Sequence, residues 1–285
     1  MDSEVFWKSF ICQSEFVTHE FSPNMRTITV GMYQNRLVAV KVGRDLHNEI
    51  EIMKKIGSHP YVIEFISEIQ EGDRSSIVME GIPNGLTIDK YCSYGPPLSL
   101  SVSVGLIRQL ALGLSYLHSL NIIHHDLKSE NVLFDETTMT LKICDFDISE
   151  ITDEYGHAKE ENRKSGTYRH MAPEQKIPNH PITNKIDVYA FGSIGRDILF
   201  KGKKARKGLL TTPITLINLL YKCEERNPEN RPDIDTFLRN LDQIDISEDA
   251  LTYQSFIDLY NRFKEQSCKV PEELQNIYDK IAYLI

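Results

Sequence analysis

Short apolar runs dominate the first third of the chain, and polar turn residues separate them. Across residues 10–79 these runs are rich in β-branched side chains, as in segments 37–40 and 76–79. Such runs are typical of strands in a small sheet. One segment instead has helical spacing between its apolar residues, which are Leu46, Ile50, Met53 and Ile56. The pattern therefore predicts a small sheet with one helix inserted between its strands.

The periodicity changes after Pro83-Asn84-Gly85. Apolar residues then recur three or four positions apart, for example at Val104, Ile107, Leu110, Leu114 and Leu117. This spacing is typical of helices, and most of the remaining chain shares it. A strand-rich first third joined to a helix-rich remainder predicts two lobes.

The composition indicates a folded chain without an overall basic field. The 285 residues are 41% hydrophobic, which is enough to fill a sizeable core. The formal net charge is −9. Nucleic acids and anionic membranes attract basic surfaces, so this charge disfavours both as partners.

The cysteines and the apolar runs bear on the cellular compartment. The 5 cysteines are scattered without a C-x-x-C pair, and an odd number cannot form a complete set of disulfides. The first residues lack the pattern of a signal peptide, and no later apolar run is expected to be long enough to span a membrane. We therefore expect a soluble cytoplasmic protein.

The strongest chemical signal is the sequence I-I-H-H-D-L-K-S-E-N-V-L at residues 122–133. It resembles the catalytic loop of protein kinases, H-R-D-L-K-x-x-N. The resemblance implies that Asp126 orients the acceptor hydroxyl and takes its proton. It also implies that Lys128 meets the transferred phosphoryl group and that Asn131 holds a magnesium ion. These roles suit phosphoryl transfer, which depends on positioning and charge neutralisation.

A second motif, L-K-I-C-D-F-D, occupies residues 141–147. It resembles the strand that leads into the family's D-F-G. The resemblance implies that Asp145 is the principal magnesium ligand, a role that suits it because a carboxylate oxygen binds a hard cation well. Asp147 stands where the family has glycine, which can adopt dihedral angles that other residues disfavour. We expect the Asp147 carboxylate to point to solvent, with an indirect contact to the metal as the alternative.

The strand segment Val38-Ala39-Val40-Lys41 resembles the family's V-A-I-K. In that pattern the lysine contacts the α- and β-phosphates of ATP and pairs with a glutamate on the next helix. Glu49 is the best match for this glutamate, although it is only eight positions from Lys41, and Glu51 is the less favoured alternative. The resemblance also implies ATP contacts at Ala39, Met79, Glu80 and Ile82.

The sequence G-T-Y-R-H-M-A-P-E ends at Glu174 and is similar to the segment that closes the family's activation loop. The resemblance implies a buried ion pair between Glu174 and Arg231 that braces the large lobe. It places Thr167 at the site where the acceptor residue docks. Asp187, which begins D-V-Y-A-F-G, is expected to accept hydrogen bonds from the backbone of the catalytic loop.

These motifs follow in family order from residue 38 to residue 232. The resemblance is to eukaryotic-type serine/threonine kinases and, through D-L-K-S and D-V-Y-A-F-G, to their tyrosine-kinase-like branch. It implies a bilobal α+β fold with a β-rich small lobe over residues 1–82 and a mainly α-helical large lobe over residues 83–245. It also implies ATP and Mg²⁺ as cofactors, a protein substrate phosphorylated on serine or threonine, and room for a regulatory protein partner.

Two further departures from the family pattern bear on activity. The sequence F-S-P-N-M-R at residues 21–26 replaces the Gly-rich loop, and Arg26 is expected to supply charge to the nucleotide in compensation. His125 replaces an arginine that normally clamps a phosphate on the activation loop.

Two alternatives to a protein kinase remain. The lost glycines and Asp147 favour a pseudokinase, which would act as a nucleotide-binding or scaffold module. The retained polar set favours catalysis, and it comprises Lys41, Glu49, Asp126, Asn131 and Asp145. Phosphorylation of a small molecule is disfavoured, because A-P-E together with Arg231 is typical of the protein kinase branch.

The end of the chain falls outside the resemblance. Apolar residues beyond residue 245 predict two amphipathic helices broken near Pro271. We expect residues 246–285 to form a helical extension that packs on the large lobe, and a partner or dimer surface is the alternative. The basic segment 201–207 is expected to be a solvated loop.

Overall fold

The computed structural model describes residues 10–17, 27–43, 45–72, 74–96, 98–153, 156–158, 169–200 and 213–246, together with residues 258 and 261. For residues 11–17 and 84 it describes the backbone without the side chains. Arg26, Thr167, segment 201–207 and nearly all of the predicted C-terminal extension therefore lie outside the described residues.

Five antiparallel strands form the predicted sheet. They are β1 (Ile11–Val17), β2 (Thr27–Tyr33), β3 (Arg36–Gly43), β4 (Phe65–Glu71) and β5 (Arg74–Glu80), in the spatial order β1-β2-β3-β5-β4. Gln34 and Asn35 join β2 to β3, and both have positive φ, as a tight two-residue hairpin turn requires. β3 therefore lies at the centre of the sheet, where Lys41 pairs with Ile77 of β5.

The predicted helix between the strands is α1 (His47–Ile56). Its predicted apolar stripe of Leu46, Ile50, Met53 and Ile56 is buried. Glu49 lies at helical spacing on the same face and is only 3% exposed, so α1 directs one carboxylate inward with its apolar residues. Gly57 follows the helix with a φ of 66°, a conformation that glycine adopts without steric cost.

Helices are the main regular elements of the described chain after residue 83. They are α2 (Ile88–Tyr94), α3 (Leu100–Ser119), α4 (Lys185–Phe200), α5 (Ile214–Cys223) and α6 (Ile234–Leu241). Two short antiparallel pairs lie among them, β6 (Ile122–Ile123) with β9 (Glu150–Ile151) and β7 (Val132–Asp135) with β8 (Thr140–Ile143). A β-rich first part and a helical second part confirm the predicted α+β architecture.

Among the described helices, α3 alone is long and apolar enough to cross a membrane by length and composition. The expectation that no segment approaches that length was therefore wrong. In the fold, α3 contributes Leu106, Ile107, Leu110, Leu114 and Leu117 to the main core, where all five are buried. It packs against α4, α6 and β8, so the apolar content of α3 is accounted for by several neighbours within the protein.

One apolar cluster runs from α1 and β5 through to α6. The backbone joins the two parts at β8, where Ile143 donates to the carbonyl of Tyr61 and accepts from the amide of Ile63, each at 2.9 Å. Phe146 is buried in the same cluster. These contacts fix the chain on both sides of Asp145.

Candidate active site

Lys41 and Glu49 meet between β3 and α1. The ammonium nitrogen lies 2.9 Å from Oε2 and 3.0 Å from Oε1 of Glu49. Both side chains are buried, because Lys41 projects from the central strand and Glu49 from the buried face of α1. Glu51 is exposed on another face of α1, where one carboxylate oxygen lies 4.0 Å from Nζ of Lys54. The structure thus brings together the favoured pair rather than the alternative.

Lys41 also contacts two carboxylates from the segment after β8. Its Nζ lies 2.9 Å from Oδ1 of Asp145 and 2.6 Å from Oδ1 of Asp147. Burial alone would lower the pKa of Lys41, but the negative charges of Asp145 and Glu49 outweigh it and raise that pKa. Burial would likewise raise the pKa of Asp145, but the Lys41 charge and hydrogen bond lower it. Both groups are therefore held in their charged forms.

The position of Asp147 corrects the expectation that it points to solvent. Its side chain is only 17% exposed and its carboxylate is bound to Lys41. The positive φ of this motif, 69°, falls on Asp145, and Asp147 is not among the residues with positive φ. Aspartate therefore fits the backbone at position 147. The expectation failed because it considered only the replaced glycine and not the ammonium that the fold brings next to it.

The catalytic-loop residues form a second polar group. Lys128 donates from Nζ to Oδ2 of Asp126 at 2.6 Å. Asn131 donates from Nδ2 to the backbone carbonyl of Asp126 at 2.9 Å and to its Oδ2 at 3.3 Å. The short 3₁₀ helix Ser129–Asn131 supplies this geometry, because it turns the chain back towards Asp126. The Asp126 carboxylate is therefore oriented from two sides while remaining partly accessible.

The β7–β8 pair links the two polar groups. Val132 pairs with Ile143, and the amide of Cys144 donates to the carbonyl of Asn131 at 3.0 Å. Asn131, which precedes β7, and Asp145, which follows β8, therefore lie at the same end of this strand pair. Asp145 keeps 38% of its side-chain surface exposed, so its carboxylate remains available to a ligand.

The carboxylate oxygens near Lys41 are suitable ligands for a hard divalent cation. Carboxylate oxygens of Glu49, Asp145 and Asp147 all lie within 4.8 Å of one another. Three carboxylates around the single Lys41 ammonium leave two negative charges in excess in this group, which a divalent cation would offset. Asp145 belongs both to this group and to the pair with Asn131 that the sequence predicted.

Asp187 fixes the backbone of the catalytic loop through hydrogen bonds. Its oxygens accept from the backbone amides of His124 at 2.8 Å and His125 at 3.1 Å. Nε2 of His118, in the last turn of α3, lies 3.1 Å from Oδ2 of the same carboxylate. Burial would raise the pKa of Asp187, but the hydrogen bond and charge of His118 and the other donors lower it. Sequence reasoning missed His118, because no motif connects this helix end to α4.

His125 turns into the interior. It has a φ of 67° and is buried, with Nε2 at 3.5 Å from Oε1 of Glu150 on β9. Pairing of Ile123 in β6 with Glu150 in β9 brings the two side chains together. The imidazole therefore lies buried beside an internal carboxylate at the position where the family pattern has a phosphate-clamping arginine.

Arg231 and Glu174 form a two-pronged ion pair. Nη1 lies 2.5 Å from Oε1 and Nη2 lies 2.7 Å from Oε2, with both side chains buried. The guanidinium also donates to the backbone carbonyls of Glu225 at 2.7 Å and Lys185 at 2.9 Å, so each prong and the Nε are engaged. The structure therefore places these residues as the family motif implies.

The residues expected to contact ATP lie along the β3–β5 ladder. Ala39 pairs with Met79 and shares a sheet face with Lys41, because alternate residues of a strand face the same way. Glu80 accepts from Nζ of Lys142 at 2.9 Å, which ties the end of β5 to β8. Ile82 is buried just beyond β5.

One further polar contact, between the catalytic loop and α4, was not predicted from the sequence. Asp197 of α4 accepts from Oγ of Ser129 and from Nη2 of Arg169, each at 2.8 Å. It therefore joins the catalytic loop to the segment that precedes A-P-E. Arg169 lies within the quoted motif, but its partner near the end of α4 has no sequence signal of its own.

The comparison with known families decides the classification. A profile of the protein kinase domain matches residues 29–241, which is more than half of the chain. The chain belongs to the protein kinase domain family. The matched range of the kinase includes both polar groups, the Glu174–Arg231 pair and Asp187.

Individual relatives agree with this assignment. The kinase is 29% identical over 265 residues to the serine/threonine/tyrosine-protein kinase HT1 of Arabidopsis thaliana. It is 30% identical over 243 residues to the serine/threonine-protein kinase STY46 of the same plant. It is 31% identical over 235 residues to the probable serine/threonine-protein kinase kinX of Dictyostelium discoideum. The predicted eukaryotic-type kinase with tyrosine-kinase-like character is confirmed.

The relatives are longer proteins. The three matches cover 81%, 75% and 74% of this kinase, but 66%, 41% and 20% of the respective relatives. The kinase chain thus corresponds to between a fifth and two thirds of their length.

Proposed function

We propose that this protein kinase transfers the γ-phosphoryl group of ATP to serine or threonine hydroxyls of a protein. The observation that carries the proposal is the contact of 2.9 Å between Lys41 and Asp145, which are 104 positions apart in the sequence. Burial of the Lys41–Glu49 pair and the raised pKa of Lys41 keep a fixed positive charge at this point. A nucleotide phosphate is the ligand such a charge suits.

The residues divide the work between nucleotide and acceptor. Lys41 holds the α- and β-phosphates, and Asp145 with Asn131 would hold Mg²⁺, which when bound neutralises charge on the phosphates. Asp126 orients the acceptor hydroxyl and accepts its proton, while Lys128 neutralises the transferred group. Asp187 supports these steps indirectly, because it fixes the backbone of the loop that carries Asp126.

The serine/threonine preference rests on Lys128 in D-L-K-S-E-N and on the serine/threonine kinases among the relatives. HT1 is named for tyrosine as well. Four points remain predictions. They are the protein substrate, a docking role for Thr167, a nucleotide contact by Arg26 and the lobe limits at residues 82 and 245. A cytoplasmic location is proposed because the 5 cysteines of the sequence are scattered without a C-x-x-C pair and, being odd in number, cannot form a complete set of disulfides.

The test is incorporation of labelled γ-phosphate by the purified chain in the presence of Mg²⁺ and a mixed protein acceptor. Phosphoamino-acid analysis should then find label on serine or threonine, and an Asp126→Asn protein serves as the matched blank. Equal incorporation by parent and blank would refute the proposal, and label on tyrosine alone would refute the specificity.

A second candidate is a pseudokinase that binds partners without useful turnover. The observation in its favour is the contact of Asp147 with Lys41 at 2.6 Å, because a side chain occupies the cation that ATP needs. Binding of Mg²⁺-ATP without transfer of label above the blank would support this candidate.

Nucleotide binding should depend on Asp145. Asp145→Asn keeps the shape of the side chain but removes its charge, so we expect weaker binding of Mg²⁺-ATP with little change in thermal unfolding. Calorimetric titration in the presence and absence of Mg²⁺ measures both the loss and the metal dependence. Equal Mg²⁺-ATP affinity in the two proteins would show that Asp145 does not hold the metal.

Activity should not require a phosphate on the activation loop. His125 is directed at Glu150, and a single imidazole cannot form the paired hydrogen bonds of an arginine clamp. Enzyme treated with phosphatase should therefore retain its rate of phosphoryl transfer. The prediction fails if the rate collapses and then returns on rephosphorylation at Ser165 or Thr167, as located by mass spectrometry.

A further inference from the structure

The Lys41 ammonium has three hydrogen atoms to donate, and the structure engages all three. Its acceptors are Glu49 Oε1 at 3.0 Å, Asp145 Oδ1 at 2.9 Å and Asp147 Oδ1 at 2.6 Å. Lys41 is buried, so water cannot readily exchange for one of these partners. A nucleotide phosphate can bind Lys41 only by displacing a carboxylate from it.

Of the three carboxylates, Asp147 is the one whose displacement leaves both the Lys41–Glu49 pair and the proposed metal ligands Asp145 and Asn131 in place. Glu49 is buried on α1, and Asp145 lies two residues after the end of β8 and is the expected metal ligand. Asp147 lies two positions farther on and makes the shortest of the three contacts. The corresponding position is glycine in the family pattern, so this acceptor is a particular property of the present chain.

We propose that Asp147 is a positioning residue that holds the Lys41 ammonium and thereby weakens binding of nucleotide phosphates. The inference rests on the proposed function, because that function assigns Lys41 to the phosphates. Asp147 weakens phosphate binding in two ways. It occupies a donor that a phosphate oxygen would take, and its negative charge repels the phosphate that approaches.

Removing the Asp147 carboxylate should therefore tighten nucleotide binding. Asp147→Ala leaves Lys41 paired with Glu49 and Asp145, so the variant creates no unpaired buried cation. We expect the dissociation constant for Mg²⁺-ADP to fall about tenfold, which corresponds to one hydrogen bond to a charged group. Asp147→Asn keeps an acceptor oxygen without the charge and should give an intermediate affinity.

ADP and adenosine together separate this effect from a general change in the cleft. Both are titrated calorimetrically into the full chain, since neither is consumed by phosphoryl transfer. Adenosine carries no phosphate, so its affinity should be the same in the parent and in both variants. Glu51→Gln is the matched control, because it removes one carboxylate of the same lobe that does not contact Lys41, and it should leave the ADP affinity unchanged.

Three results would overturn the inference. The first is an unchanged affinity for ADP in both Asp147 variants, and the second is a parallel gain for adenosine. The third is absence of ADP binding in parent and variants alike, because release of Lys41 would then have created no phosphate site. Tighter ADP binding without any transfer of labelled phosphate would retain the inference and remove the proposed catalytic function, so the two failures are distinguishable.

Discussion

Replacing Arg231 by methionine is expected to lower the free energy of unfolding by about 3–5 kcal/mol. The guanidinium is fully buried and holds both oxygens of Glu174. Methionine fills much of the volume but leaves the Glu174 carboxylate buried without its cation. It also removes the donors to the carbonyls of Glu225 and Lys185. The expected loss of stability is large because the substitution leaves a buried charge and several buried acceptors without partners.

Equilibrium unfolding in denaturant measures this loss, with Arg36→Met as the matched control. Arg36 pairs with Glu64 at the surface, where roughly half of the arginine side chain is exposed. An exposed pair contributes about 0–1 kcal/mol, so the control should be nearly neutral. Similar destabilisation by the two substitutions would contradict a special role for the buried pair.

Asp126→Asn is expected to lower the rate of phosphoryl transfer by about 10²–10⁴-fold while the protein remains folded. Asparagine has the same shape and can still accept from Lys128 and Asn131, but it cannot take the proton of the acceptor hydroxyl. The affinity for Mg²⁺-ATP should change little, because Lys41 and Asp145 bind the nucleotide and the metal in the proposed arrangement and the shape of the side chain at position 126 is kept.

Initial rates of labelled phosphate transfer at saturating ATP measure the effect, alongside thermal unfolding. Glu130→Gln is the control, since Glu130 is exposed in the same loop and its loss removes an equal charge. A rate in Asp126→Asn within a few-fold of the parent and control would assign proton transfer to another group, because a general base contributes roughly 10²-fold or more.

The sequence was informative where function restricts residue type at a fixed spacing. Lys41 and Asp145 were identified from separate motifs, and the fold brings them into contact. Glu49 was favoured over Glu51, and its inward direction follows from its spacing with Ile50 and Met53 on the buried face of α1. Local patterns predict such features because helix and strand periodicity decides which side chains share a face.

The sequence was uninformative where a contact depends on distant elements. The Asp147 side chain is directed towards the Lys41 ammonium, which is 106 positions away in the sequence. The motif that contains Asp147 does not indicate this partner. His118 and Asp197 likewise acquire partners only when helices pack. The misjudged hydrophobicity of α3 has the same origin, since a helix enclosed by neighbours and one enclosed by lipid share a composition.

The surroundings of Lys41 also determine its covalent reactivity. A lysine attacks an electrophile only as the neutral amine. Burial alone would make that form more common, but Asp145 and Glu49 raise the pKa of Lys41 and make it scarcer. The amine is also enclosed, unlike that of Lys54 on the exposed side of α1. Acylating reagents will therefore modify surface lysines in preference, and the buried Lys41 amine is a poor anchor for a covalent inhibitor.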